Sequence, residues 1–237
     1  LKSAGTPLST QSVGPSGTTM VSHVDGADVT LRADSSGSVT LWRGGSITGE
    51  AETFDSGGGQ LFVLEGATVA GRALVLVGGQ QTAAVWDVTG EPTRLLELGD
   101  DTVAYSAAWS GPTVAVGTLE GDVRRVDLAD PDAPVPLPDL SLDEPMAVTG
   151  LAMTPETVFV GGVSDTVTVF GVDGTRQADL AVAGTVISMN TSPDGSEVLA
   201  GTTQGFGYRF ATPPAGPSLI DSVEFEASAN AVRHLGD

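Results

Sequence analysis

A unit that recurs five times predicts an all-β chain, a β-propeller of four-stranded antiparallel blades. Each copy is an alternating apolar strand, a small or Gly-rich end, a tight turn and a second strand closing on a bulky residue. The second observation is spacing: the closing residues Trp42, Trp86, Val126, Phe170 and Phe210 follow one another at 44, 40, 44 and 40 residues. The third is composition: 32 Gly and 14 Pro in 237 residues, with abundant Val, Thr and Ala, favour many short strands over helices.

The hairpins come first because their period-two alternation is the clearest signal. They are Asp28–Arg43, Ala73–Asp87, Thr113–Asp127, Thr157–Gly171 and Glu197–Ala211, with turns marked by Ser36-Gly37, Glu120-Gly121 and Gln204-Gly205. They supply the second and third strands of each blade. Upstream of each lies a further apolar strand: Met20–Val24, Leu64–Val69, Tyr105–Trp109, Val148–Met153 and Ile187–Asn190. Downstream lies a more polar segment, such as Asp130–Leu137 or Thr175–Leu180, whose Pro and charge suit an outer edge strand.

The expected blades are therefore 20–57, 60–99, 103–140, 146–182 and 185–226, forming one domain. Partial blades are expected at both ends: 5–12 reads as a lone fourth strand and 230–237 as a first strand. Together they still lack a second and a third strand, and the chain starts at Leu1. The expectation is thus a piece of a longer propeller, with a complete six-bladed ring as the alternative.

Val85-Trp86-Asp87, together with Thr191-Ser-Pro-Asp-Gly195 followed by Leu199-Ala-Gly201, resembles the WD40 repeat across nearly the whole chain. The resemblance is degenerate. Only the second repeat keeps Trp-Asp, the third has Val126-Asp127, and the others end in Trp42-Arg43, Phe170-Gly171 and Phe210-Ala211. No Gly-His dipeptide occurs, so the His–Ser/Thr–Asp–Trp network of many WD40 blades has no histidine to start from. Asp127–Val135 and Gly5–Thr10 also resemble stretches of WD40 arrays in large bacterial or archaeal multidomain proteins, in which such an array senses or docks beside an enzymatic module.

Thirty acidic residues face ten basic ones, for a formal charge of -20. That field repels phosphate backbones, so nucleic acid is not an expected partner, and a basic protein or peptide is. The near absence of Lys and the excess of Asp resemble the surface of proteins from salt-loving organisms and equally fit a high-GC, actinobacterial genome. No run of about 18 apolar residues occurs, so no membrane insertion is expected.

The chain has no Cys, which excludes disulfides and thiolate chemistry and leaves the compartment open. His23 and His234 align at one first-strand position that holds Ala107 or Leu151 in other repeats, which reads as blade packing. Asp127, Asp130 and Asp132 come nearest to a metal motif, but they lack the glycine and spacing of a calcium loop and read as an acidic turn. Asp100-Asp101 and Asp143-Glu144 carry no specific acid–base signal, and Gly57-Gly58-Gly59 and Gly78-Gly79 do not lead into a phosphate-binding helix. Trp42, Trp86 and Trp109 read as core.

No catalytic, metal or cofactor set is therefore expected. The favoured reading is a non-catalytic scaffold for protein interaction or ligand sensing, with Asp34, Ser35, Gln80, Asp101, Glu120, Asp143, Glu144, Asp165 and Gln204 on its interaction surface. The alternatives are a propeller enzyme of lactonase-like or quinone-dependent type, with a central-channel site, and a purely architectural spacer or oligomerisation module.

Overall fold

The computed structural model describes residues 20–24, 26–44, 47, 49–57, 59–99, 102–212, 216–229 and 232. The expected partial blades, 5–12 and 230–237, lie outside the described residues apart from Val232. Among the described residues there are twenty strands and no helix, hence no helix long and apolar enough to cross a membrane.

The strands form five antiparallel four-stranded sheets, each in simple chain order. Blade 1 is β1 (Met20–Val24), β2 (Val29–Ala33), β3 (Ser38–Arg43) and β4 (Ala51–Asp55). Blade 2 is β5 (Leu61–Val69), β6 (Arg72–Gly79), β7 (Ala83–Asp87) and β8 (Thr93–Glu97). Blade 3 is β9 (Ala104–Ser110), β10 (Thr113–Thr118), β11 (Asp122–Asp127) and β12 (Val135–Ser141). Blade 4 is β13 (Gly150–Met153), β14 (Thr157–Gly161), β15 (Thr166–Gly171) and β16 (Arg176–Ala181), and blade 5 is β17 (Val186–Thr191), β18 (Glu197–Thr202), β19 (Phe206–Ala211) and β20 (Ser218–Glu224).

One register runs through all five hairpins. The closing residues Trp42, Trp86, Val126, Phe170 and Phe210 stand opposite Thr30, Val75, Val114, Val158 and Val198. Of these closers Val126, Phe170 and Phe210 are buried, whereas Trp42 and Trp86 are half-buried. In blade 3 the structure corrects the expected fourth strand. Residues Asp130–Pro134 turn instead, because the Asp130 carboxylate accepts the Asp132 amide at 3.1 Å and its carbonyl accepts that of Ala133, so the strand starts at Val135.

The chain packs as two compact units. One comprises the described residues through Ala104 with Leu128–Pro134, and the other Tyr105–Asp127 with the described residues from Val135 onward. In the first unit the core lies between blades 1 and 2: Leu31, Leu41 and Val39 meet Leu61, Leu64 and Val75, and Phe54 rests on Trp86 with ring centroids 4.6 Å apart. In the second unit β14 serves two cores. Val158 and Val160 face blade 3 with Leu140 and Val148, while Phe159 faces blade 5 with Val198 and Phe210. A strand covered on both faces has no polar side, which is why Thr157–Gly161 is buried throughout.

Close stacking also fixes the small residue near the end of the second strand. A Cβ at Gly161 would lie 2.8 Å from Val186, and one at Gly117 would overlap Val148. Val148 and Val186 lead the chain into the following blade, so nothing larger than glycine fits where it crosses.

Candidate functional site

At one end of the sheets the second-to-third-strand turns alternate with the loops that enter the next blade, joined by backbone bonds. In the second unit Val148 donates to Thr118, Val163 to Ala147, Val186 to Gly162, Thr203 to Thr185, and Phe225 to Gly205. Three turns (118–122, 162–166 and 202–206) and the entry loops around them therefore form one continuous rim. In the first unit Ser56 donates to the Gly37 carbonyl through both its amide and its hydroxyl, and Gln80 to that of Gln60, which builds the corresponding rim.

Gly121 and Gly205 hold φ of +100° and +84° in these turns. The left-handed conformation suits glycine, and a Cβ would also strike backbone: Met146 N at 2.8 Å for Gly121 and Phe225 O at 2.7 Å for Gly205. Turn and entry loop therefore approach too closely for a side chain to stand between them and are tied by backbone hydrogen bonds.

The structure distributes the residues expected on the interaction surface as follows. Glu120, Glu144, Asp165 and Gln204 are exposed on the rim of the second unit, and Ser35 and Gln80 on that of the first. Asp34 is half-buried and turned inward: it accepts the Ser36 hydroxyl at 2.6 Å, the Ser36 amide at 2.8 Å and the Ser38 amide at 3.2 Å. The Ser36 hydroxyl bond, with these amides, holds its carboxyl below the usual range. Asp143 is exposed but bound to Arg176. Asp101 lies outside the described residues.

Along its turns and entry loops the second rim carries six carboxylates (Glu120, Asp122, Asp143, Glu144, Asp165 and Glu226), of which Asp143 is paired with Arg176 of β16, and these segments contain no Lys or Arg. Between them stand three large apolar side chains that solvent reaches: Leu119 at 45%, Val163 at 60% and Phe225 at 49% exposure. Sequence reading passed over Leu119 and Val163 in favour of their acidic neighbours. The signal was present, since both occupy the turn position where the other repeats place Ser35, Gln80 and Thr203.

The residues weighed for chemistry are spread out. His23 Nδ1 lies 3.2 Å from the Thr30 hydroxyl, within blade 1, and His234 lies outside the described residues. Asp132 pairs with Arg72 at 2.6 Å, and Arg72 also holds Asp87 at 2.7 Å. Among the described residues no three His, Asp or Glu form a group that could hold a metal ion.

Among the described residues one charged group is deeply buried. Arg125, 2% exposed, occupies a third-strand position that holds Leu41, Val85 and Val169 in other blades. Its donors go to carbonyls: Pro138 at 3.1 and 2.7 Å and Val172, in blade 4, at 2.7 Å. Burial lowers its pKa against the opposing fields of Asp139 and Asp173. It ties the bulge of β12 to the next blade, as Arg43 ties blade 1 to the Val88 carbonyl at 2.6 Å in the first unit.

At the opposite end of blade 5, Asp194 organises the first-to-second-strand turn. It accepts the Ser192 hydroxyl at 2.7 Å and the Ser196 hydroxyl and amide at 2.8 and 3.1 Å, which pulls its pKa down to about 2. Such turns satisfy their own carboxylates and leave little for a partner.

No family model matches the chain, and no curated protein does. Among solved structures it is similar to the computationally designed protein Ika8, with a TM-score of 0.70 and 15% identity, covering 96% of this chain and 78% of that one. At that identity the likeness shows the fold alone.

Proposed function

We propose that the chain is a non-catalytic scaffold of degenerate WD40-like repeats that holds a basic protein or peptide on the turn rim of blades 3 to 5. The observation that carries this reading is the pattern on that rim, where Leu119, Val163 and Phe225 stand exposed among five carboxylates with no arginine against them, Glu120, Asp122, Glu144, Asp165 and Glu226. Exposed apolar groups within a polar frame supply the desolvation that holds a partner, and the surrounding charge steers and selects it. Turns tied by backbone hydrogen bonds lower the ordering cost of presenting these groups.

The test is titration of the chain with peptides rich in Arg and aromatic residues, against acidic and neutral peptides of the same length. Micromolar binding of the basic set is expected, weakening at least tenfold between about 50 and 500 mM salt as the carboxylates are screened. It should be lost in a Leu119→Ser, Val163→Ser double variant that melts like the parent. Equal affinity for the acidic set, or no change with salt, would overturn the reading.

A further inference from the structure

Between blades 3 and 4, at the end away from the turn rim, lies a cleft of about 250 Å³. Both of its walls belong to the second unit. Leu137, Met153 and Val172 give it apolar surface, Ser110 and Thr113 give it hydroxyls, and Arg125 is the only charged residue among the described residues that lines it. No Asp or Glu does so, in a chain that has thirty acidic residues.

Arg125 differs from other arginines of the chain in what it meets. Arg43, Arg72, Arg94, Arg176 and Arg209 each pair with a carboxylate. Arg209 even stands at the same register position, yet Asp221 and Glu197 hold it. The buried Arg125 meets only the Pro138 and Val172 carbonyls. Carbonyl dipoles satisfy N–H groups but bring no counter-charge, and a buried cation without one is costly. Asp139 and Asp173, whose fields reach Arg125, are exposed to solvent, and Asp173 is engaged by the Thr175 hydroxyl at 2.6 Å and amide at 2.9 Å.

Unused donors collect at the same place. The three bonds of Arg125 engage three of the five N–H groups of a guanidinium, so one on each Nη has no acceptor among the described residues. The Ser110 and Thr113 hydroxyls also have no hydrogen-bond partner among the described residues. An occupant must therefore bring acceptors. We propose that this cleft binds a small carboxylate with a short apolar body, its carboxylate on Arg125 and the two hydroxyls and its body against Leu137, Met153 and Val172. A planar carboxylate matches the guanidinium fork. The apolar walls call for hydrocarbon rather than a bare oxyanion, and a volume below the roughly 300–1,000 Å³ of drug-sized pockets limits it to a single ring or a short chain. The proposal does not depend on the partner reading of the turn rim, which lies at the other end of the sheets and attracts the opposite charge.

The test adds benzoate, benzamide or inorganic phosphate to the 237-residue chain and follows amide chemical shifts. Saturable benzoate shifts are expected at Ser110, Thr113 and Val172 and not at Leu119 or Phe225. Benzoate should bind at least tenfold more tightly than benzamide, which lacks the charge, and than phosphate, which lacks the ring. Arg125→Met, which keeps an apolar stem, should weaken benzoate binding at least tenfold. If that variant does not fold, the Ser110→Ala, Thr113→Val double variant takes its place, expected to melt like the parent and to bind benzoate at least tenfold more weakly. Equal affinity for benzamide would leave only an apolar cleft, and equal affinity for phosphate an adventitious ion only. Either result would overturn the proposal, as would unchanged benzoate binding in the variant or silence at Ser110, Thr113 and Val172.

Discussion

Blades 4 and 5 share one hairpin register, yet equivalent residues lie in different surroundings. Phe159 and Leu199 stand at the same second-strand position, opposite Val169 and Arg209. Phe159 is sealed between two sheets, whereas Leu199 looks into an open groove. Burial is thus set by what stacks on a blade and not by the hairpin itself, and the sequence follows: Thr-Val-Phe-Val-Gly on β14 is apolar on both faces, while β19 alternates Gly207 and Arg209 outward with Tyr208 and Phe210 inward.

The largest expected difference comes from removing the two side chains. Phe159→Ala should cost about 3–5 kcal/mol in denaturant unfolding, as a large cavity between sheets does, and Leu199→Ala about 1 kcal/mol or less. Similar losses at both positions would break the comparison.

Arginine extends the contrast to blade 3, since Arg125 and Arg209 occupy equivalent third-strand positions. Arg125→Ala strands the Pro138 and Val172 carbonyls and should cost about 2–3 kcal/mol. Arg209, 40% exposed and paired with Asp221 at 2.8 Å, should be replaceable by Ala within about 0.5 kcal/mol. The same unfolding assay checks both.

A smaller effect separates the hairpin turns. Gly205→Ala forces a Cβ into a left-handed residue and against the Phe225 carbonyl, for a loss of about 1–3 kcal/mol. Asp165, at the same position in blade 4, is exposed and should accept Ala within about 0.5 kcal/mol.

The smallest effect is visible only against pH. Asp194 has a folded pKa of about 2, below its unfolded value, so its contribution is fully present above the unfolded carboxylate pKa of about 3.9 and is lost as pH falls through 2. Asp194→Asn should therefore melt lower than the parent at pH 6, with the gap closing by pH 2. The blade 4 turn is built instead on the Thr154 hydroxyl, which accepts the Glu156 and Thr157 amides, so Thr154→Ala should lower the melting temperature by an amount that does not change between these pH values.

The sheets were legible because each hairpin carries its own alternation and turn, and all share one register. Local cues failed where neighbours decide. The Asp130–Pro134 stretch has the composition of an edge strand, but its carboxylate prefers a turn. β20 breaks the expectation of a polar fourth strand, with Leu219, Ile220 and Val223 all exposed. Arg125 was not singled out, because its role depends on a carbonyl of the next blade. Of the turn rim, the acidic residues were legible, whereas Asp34 and Asp143 are engaged by Ser36 and Arg176, contacts that residue type does not announce.

Whether the turn rim of blades 3 to 5 receives a partner, as proposed above, is open to direct measurement. Amide chemical shifts followed by NMR while a basic, aromatic-containing peptide is added test it most directly. Shifts are expected to cluster at Leu119, Glu120, Val163, Asp165, Gln204 and Phe225, with Asp173 and Asp194 unmoved. Shifts confined to the Asp173 and Asp194 turns, with the rim silent, would contradict it.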